Sequence, residues 1–155
     1  IVLPATDNIT MTITDEHGAT DTVNFVFAVD PYAPQNDGVS LTGTSGKDVI
    51  YATGWNDTLS GGECVDDGKD TFVFDLDGNN GIGQDTITDF VQGEDKSALY
   101  GTYDDYEHMV ESGAFANPNL AANQIDLGDG NVITLNNVQV STLTANDFLF
   151  HPGTP

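Results

Sequence analysis

Arginine is absent from this 155-residue chain and lysine occurs only three times, against twenty-five aspartates and glutamates; there is one cysteine and no long apolar run. A formal charge of −22 excludes nucleic acid and anionic membranes as partners, because both would be repelled over the whole surface. A single thiol, Cys64, cannot close an internal disulfide, so something else must staple the scaffold. Without an apolar stretch of membrane-spanning length, no membrane insertion is expected. No cleavable signal opens the sequence, so an exported chain would carry its address elsewhere. Hydrophobic content of 38% allows a modest core in one domain, or one domain with a further piece.

What is present is a repeat. Between Gly43 and Phe74 a nine-residue unit of glycine turn, aspartate and one apolar residue recurs three times: Gly-Thr-Ser-Gly-Lys-Asp-Val-Ile-Tyr, Ala-Thr-Gly-Trp-Asn-Asp-Thr-Leu-Ser, and Gly-Gly-Glu-Cys running on to Gly-Lys-Asp-Thr-Phe-Val-Phe. Glycine permits the tight turn and lets backbone carbonyls approach an ion. Calcium wants six to eight oxygens at about 2.3–2.6 Å, and strands stacked about 4.8 Å apart leave room for one ion between two turns. Calcium is therefore the expected cofactor. The candidate ligands are Gly43, Ser45, Gly46 and Asp48; Thr53, Asn56 and Asp57; Gly61, Gly62, Gly68 and Asp70; and Asp75, Asp77 and Asp85.

If each half-coil reverses direction, the Asp48 and Asp70 turns share one edge and Asp57 lies on the other, where the stretch from Asp75 to Asp85 follows at the right place to pair with it. Ile50, Leu59, Phe72 and Ile87 take equivalent inward positions. Trp55 stands where the second turn's last glycine is expected, either packing across the edge or offering an aromatic face to a sugar. Four extra residues separate Asp57 from Asp70, and within them Asp66 and Asp67 are either further ligands or solvated carboxylates.

Around the repeat, residues 9–14 and 22–29 alternate in polarity about a turn at Asp15–Gly18 and predict a hairpin. A lone hairpin is marginal, so it should either pack on the roll or be the tail of another domain; it resembles the last two strands of the immunoglobulin-like or cadherin-like repeats of large bacterial adhesins. Asp30 to Gly38 reads as a linker. Asp85–Phe90 is a strand leading to a turn at Gly93–Lys96. Asp104–Ser112 is a short helix with Tyr106, Met109 and Val110 on its core side. Residues 124–127 and 131–135, joined by Gly128-Asp129-Gly130, form a second hairpin, and Val138, Val140, Leu143 and Phe148–Phe150 supply a last apolar edge that caps the stack. The expected fold is mostly all-β: a short parallel calcium β-roll with a β-hairpin and short-helix cap, preceded by an N-terminal hairpin. The boundaries are 1–36 for hairpin and linker, 37–150 for the roll with its cap, and 151–155 for a tail.

The nine-residue repeats, the segment Asp85-Thr86-Ile87-Thr88-Asp89-Phe90 and the ending Leu143-Thr144-Ala145-Asn146-Asp147-Phe148-Leu149-Phe150 resemble the C-terminal region of RTX (repeats-in-toxin) proteins. The resemblance implies a calcium-folded module that leaves Gram-negative bacteria by type I secretion, through an inner-membrane ABC transporter, an adaptor and an outer-membrane channel. The uncleaved signal would be the C-terminal end, with Asp147-Phe148-Leu149-Phe150 similar to the family's aspartate-plus-apolar ending. With the N-terminal hairpin, this points to a secreted or cell-surface adhesin serving cell adhesion and biofilm formation, and to a monomer.

Two rivals stand beside it. Similar rolls follow secreted proteases and lipases, but this chain has no His-Glu-x-x-His helix and no Gly-x-Ser-x-Gly elbow, and His17, His108 and His151 lie far apart, so no enzyme activity is expected. A ligand-binding module would grip carbohydrate or ice through Thr42, Thr44, Thr53, Thr58, Thr71 and Trp55, although threonine suits strands regardless.

Overall fold

A computed structural model of the chain describes residues 5–29, 38–62, 68–77 and 81–152. Residues 30–37 of the expected linker, the Cys64, Asp66 and Asp67 insertion, and residues 78–80 lie outside this range. Short strands alternate between two sheets. β1 (Ala5–Thr14), β2 (Thr20–Val29), β4 (Lys47–Tyr51), β6 (Thr71–Asp75), β8 (Lys96–Gly101) and β11 (Phe148–Pro152) make a six-stranded sheet in that order. β3 (Ser40–Thr42), β5 (Thr58–Ser60), β7 (Gln84–Ile87), β10 (Val132–Leu135) and β9 (Gln124–Asp126) make a five-stranded one.

From β3 to β8 every chain reversal carries the next strand to the opposite sheet. Strands of one sheet are therefore parallel, as the pairings β3–β5, β5–β7, β4–β6 and β6–β8 show. Parallel neighbours ordinarily need a long crossover. Here the strand of the facing sheet is that crossover, so the glycine turns can stay tight. The period-two alternation of each strand buries one apolar row. Leu41, Leu59, Ile87 and Leu135 stack in one sheet and Val26, Ile50 and Phe72 in the other, all fully or almost fully buried. The all-β roll expected from the repeat is the observed fold.

The N-terminal hairpin is longer than expected. β1 and β2 pair antiparallel over their ten residues, and β2 then runs parallel to β4, putting Val26 opposite Ile50 in the core. The hairpin is thus the edge of the roll's sheet, because an isolated pair of strands has no core of its own while β4 offers an open edge and an apolar row.

At the other end, β9 and β10 form the expected hairpin about Gly128, Asp129 and Gly130, all at positive φ. β10 closes on β7 and β11 on β8, both parallel. α1 (Tyr106–Glu111) is capped by Asp105, whose side chain accepts from the His108 backbone N–H. Its Met109 is fully buried and Tyr106 joins an aromatic cluster with Phe115 and Phe148, but Val110 is exposed, because a six-residue helix turns only one seam inward. Leu149 is exposed for the strand version of the same reason, its neighbours Phe148 and Phe150 taking the inner side. β11 also continues past the expected tail boundary at 150: His151 and Pro152 pair with Tyr100 and Gly101, and the His151 ring stacks on Tyr100 at 4.3 Å.

Candidate metal centre

Aspartates at the ends of the turns form a ladder on each edge of the roll. On one edge the Asp48 backbone N–H donates to Asp70 Oδ1 at 3.0 Å, and the Asp70 N–H donates to Asp95 Oδ1 at 3.0 Å. On the other, Val39 N–H donates to Asp57 Oδ1 at 2.8 Å and Asp57 N–H to Asp85 Oδ1 at 2.7 Å. The edge assignment read from the alternation of half-coils is the one observed. The second carboxylate oxygen turns back into its own turn: Asp48 Oδ2 accepts from the Thr44 N–H, Asp57 Oδ2 from the Thr53 N–H, and Asp95 Oδ2 from the Val91 N–H, each four residues upstream. Among the described residues Asp85 has no such contact, and its buried Oδ2 has no hydrogen-bond partner.

All five carboxylates are buried, and burial pushes each above the ordinary aspartate range. Asp70 rises to about 7, with added repulsion from Asp95, Asp48 and Asp89, and Asp85 to about 8, with repulsion from Asp57. No basic side chain relieves them: among the described residues the lysine paired with a carboxylate is Lys47, on Asp21 of β2. A row of buried acids without a cation is costly, and it is relieved either by protons or by a metal.

The glycines show where further oxygens gather. A Cβ on Gly61 would lie 1.9 Å from Asp70 Oδ2, and one on Gly62, whose φ is +102°, would lie 2.1 Å from the Thr44 carbonyl oxygen. A Cβ on Gly43 would meet the Gly61 carbonyl oxygen at 2.4 Å and Asp48 Oδ2 at 2.8 Å. Two successive turns thus bring carbonyl and carboxylate oxygens to one corner, and only glycine leaves space there. Among the described residues no three His, Cys, Asp or Glu side chains cluster as a metal site. A fitting ion must accept mainly backbone carbonyls with one or two carboxylates, a hard-oxygen set that suits calcium and not zinc.

The other expected ligands are distributed unevenly. Thr53 Oγ1 holds the Asp57 carboxylate at 2.9 Å, and Asn56 Oδ1 accepts from the Gln84 N–H at 2.8 Å, tying the Asp57 turn to the one above it. Gly46 lies in the first turn with its N–H on Thr44 Oγ1, and Ser45 there is exposed. Gly68 is buried two residues before Asp70. Asp75 is not brought to Asp57: it is exposed at the end of β6 and accepts from the Asp77 N–H, while Asp77 Oδ1 lies against Gly101. Strand alternation sends Asp75 outward, which proximity along the chain could not reveal. Trp55 is half-buried, its backbone N–H donating to Thr53 Oγ1.

Three acids that the nine-residue period did not mark belong to the same edges. Asp89 accepts from the Gly61 and Gly62 N–H groups and the Ser60 hydroxyl. Asp95 continues the Asp48–Asp70 ladder, and Asp147 accepts from the Gly93 and Thr144 N–H groups. A tripeptide would have found Asp95: Gly-x-Asp recurs at Gly46–Asp48, Gly68–Asp70, Gly83–Asp85 and Gly93–Asp95. His17, His108 and His151 lie on three different elements, the first hairpin's turn, α1 and β11.

Two sheets wound as one coil, parallel from β3 to β8, with aspartate ladders along both glycine-cornered edges, define a β-roll. Residues 38–151 match the family described as Peptidase M10 serralysin C terminal, and the chain belongs to that family of RTX-type calcium-binding β-roll domains. No curated protein and no solved structure matches the chain.

Proposed function

We propose that this chain is the calcium-dependent folding and C-terminal type I secretion module of a larger secreted RTX protein, with calcium held between successive turns by the Asp48, Asp70 and Asp95 edge and by the Asp57 and Asp85 edge. The observation that carries the reading is the pair of buried carboxylate ladders, uncompensated by lysine, beside corners where Gly43, Gly61 and Gly62 leave space among oxygens. Calcium supplies the missing positive charge there and keeps the carboxylates ionised. A site saturated a hundredfold above its dissociation constant adds about 2.7 kcal/mol, so a few such sites decide whether the chain folds. Where calcium is scarce the polyanion stays extended and can thread a narrow channel; outside the cell, calcium closes the roll.

The N-terminal hairpin supports a cell-surface adhesin as the parent. The family's own description supports a secreted peptidase equally well, and in either case the module carries no catalysis itself. Two measurements test the proposal. Titration calorimetry with calcium should show saturable binding that Asp70→Asn and Asp85→Asn weaken, and magnesium should not substitute. A passenger fused to this chain should be exported by a type I system and retained once residues 141–155 are removed; normal export after that deletion overturns the secretion role.

A further inference from the structure

The two outer faces of the roll differ. On the five-stranded sheet one rank across the strands reads Ser40, Thr58, Thr86, Thr134 and Gln124, a hydroxyl and amide surface. The six-stranded sheet is the opposite. Of its residues, Ile9, Met11, Ile13, Tyr51, Tyr100 and Leu149 are large, hydrophobic and exposed, and the strand pairings put all six on one face. One rank runs without a polar break through Tyr51, Val73, Ala98 and Leu149, exposed at its two ends with Val73 and Ala98 buried between them. The same face carries two of the three lysines, Lys47 and Lys96, against Asp7, Asp21 and Asp75, and so is close to neutral on a molecule of charge −22. A contiguous apolar patch of this kind marks an interaction surface.

We infer that this face packs against the same face of a second copy of the chain, giving a two-fold dimer with the sheets stacked face to face. Charge selects the occupant. Two such polyanions repel through every other surface, and a cationic partner would be drawn to the acidic edges instead of this neutral plate. An apolar, neutral, flat partner is required, and the face is its own complement, as an isologous contact demands. The area is adequate: two ten-residue strands and four of five or six residues, at about 3.3 Å per residue and 4.8 Å between strands, span roughly 650 Å², so a pair buries about 1,300 Å², within the range of specific interfaces. Aligned stacking of two twisted sheets is an ordinary packing for such faces. This departs from the monomer expected from the sequence, in which the edge that the hairpin joins was not visible.

Sedimentation velocity on the whole chain in calcium tests the inference. The wild type is expected to dimerise by on the order of 100 µM, and added salt should strengthen the dimer by screening the like charges. The double substitution Tyr51→Lys with Leu149→Lys should raise the dissociation constant at least about tenfold with unchanged circular dichroism, whereas Thr58→Lys on the opposite sheet should leave it alone. Hydroxyl-radical footprinting of the wild type, dilute against concentrated, needs no variant and should show Met11, Tyr51 and Tyr100 protected on concentration. A wild type that stays monomeric, a double lysine variant that dimerises as well as the parent, or equal labelling of those residues at both concentrations overturns it.

Discussion

At the residue scale, a Cβ on Gly61 would strike the buried Asp70 carboxylate, whereas one on Gly46 meets nothing closer than 3.8 Å and strains no positive φ. Gly61→Ala is therefore expected to cost about 1–3 kcal/mol in calcium and Gly46→Ala close to nothing, as denaturant unfolding of the two would show. Ser97 stands in the apolar row between Phe72 and Phe148, its hydroxyl buried and without a partner among the described residues. Ser97→Ala should stabilise the fold by about 1 kcal/mol, read as a higher midpoint. The inward residues Ile50, Leu59, Phe72 and Ile87 were legible because the repeat marks them directly. Asp89 and Asp95 were less so: both lie beyond the last regular unit, and their role depends on turns stacking across more than twenty residues of chain.

The raised acids also set a pH dependence. Asp70 and Asp85 titrate near 7 and 8 in the ion-free fold, above the ordinary value of 3.8 that they have when unfolded. The folded chain then binds more protons than the unfolded one across that window. The stability these groups contribute is complete below the unfolded value and is lost as pH rises through about 7 and then about 8. In chelator the chain should be more stable near pH 5 than near pH 8.5, and Asp70→Asn with Asp85→Asn should flatten that slope while weakening calcium binding.

At the scale of elements, both hairpins and the short helix could be read from alternation, turn residues and the acids at the helix start. β8 and β11 could not. β8 interrupts its inward row with Ser97, and β11 gains its meaning only by pairing with β8 from about fifty residues away. That the hairpin packs on the roll was one of two expected placements, but its attachment to β4 was hidden, because a hairpin pattern states which face is apolar and not which edge it meets. The aromatic cap makes a direct prediction. Phe148 packs against Tyr106, Phe115 and Phe150, so Phe148→Ala should cost about 3–5 kcal/mol in calcium, visible as a lowered unfolding midpoint.

At the scale of the whole molecule, a charge of −22 is held in a fold whose edges bury acids without basic partners. The hydrophobic row alone must hold that fold against self-repulsion when no cation is present. In the proposed function, calcium between the turns completes the structure. Far-UV circular dichroism of the chain at about pH 7.5, followed while calcium is added to protein in chelator, tests this most directly. A largely unfolded spectrum in chelator and a cooperative gain of β-structure on calcium addition, reversed by further chelator, are expected. A chain equally folded in chelator and in calcium would contradict the proposed function.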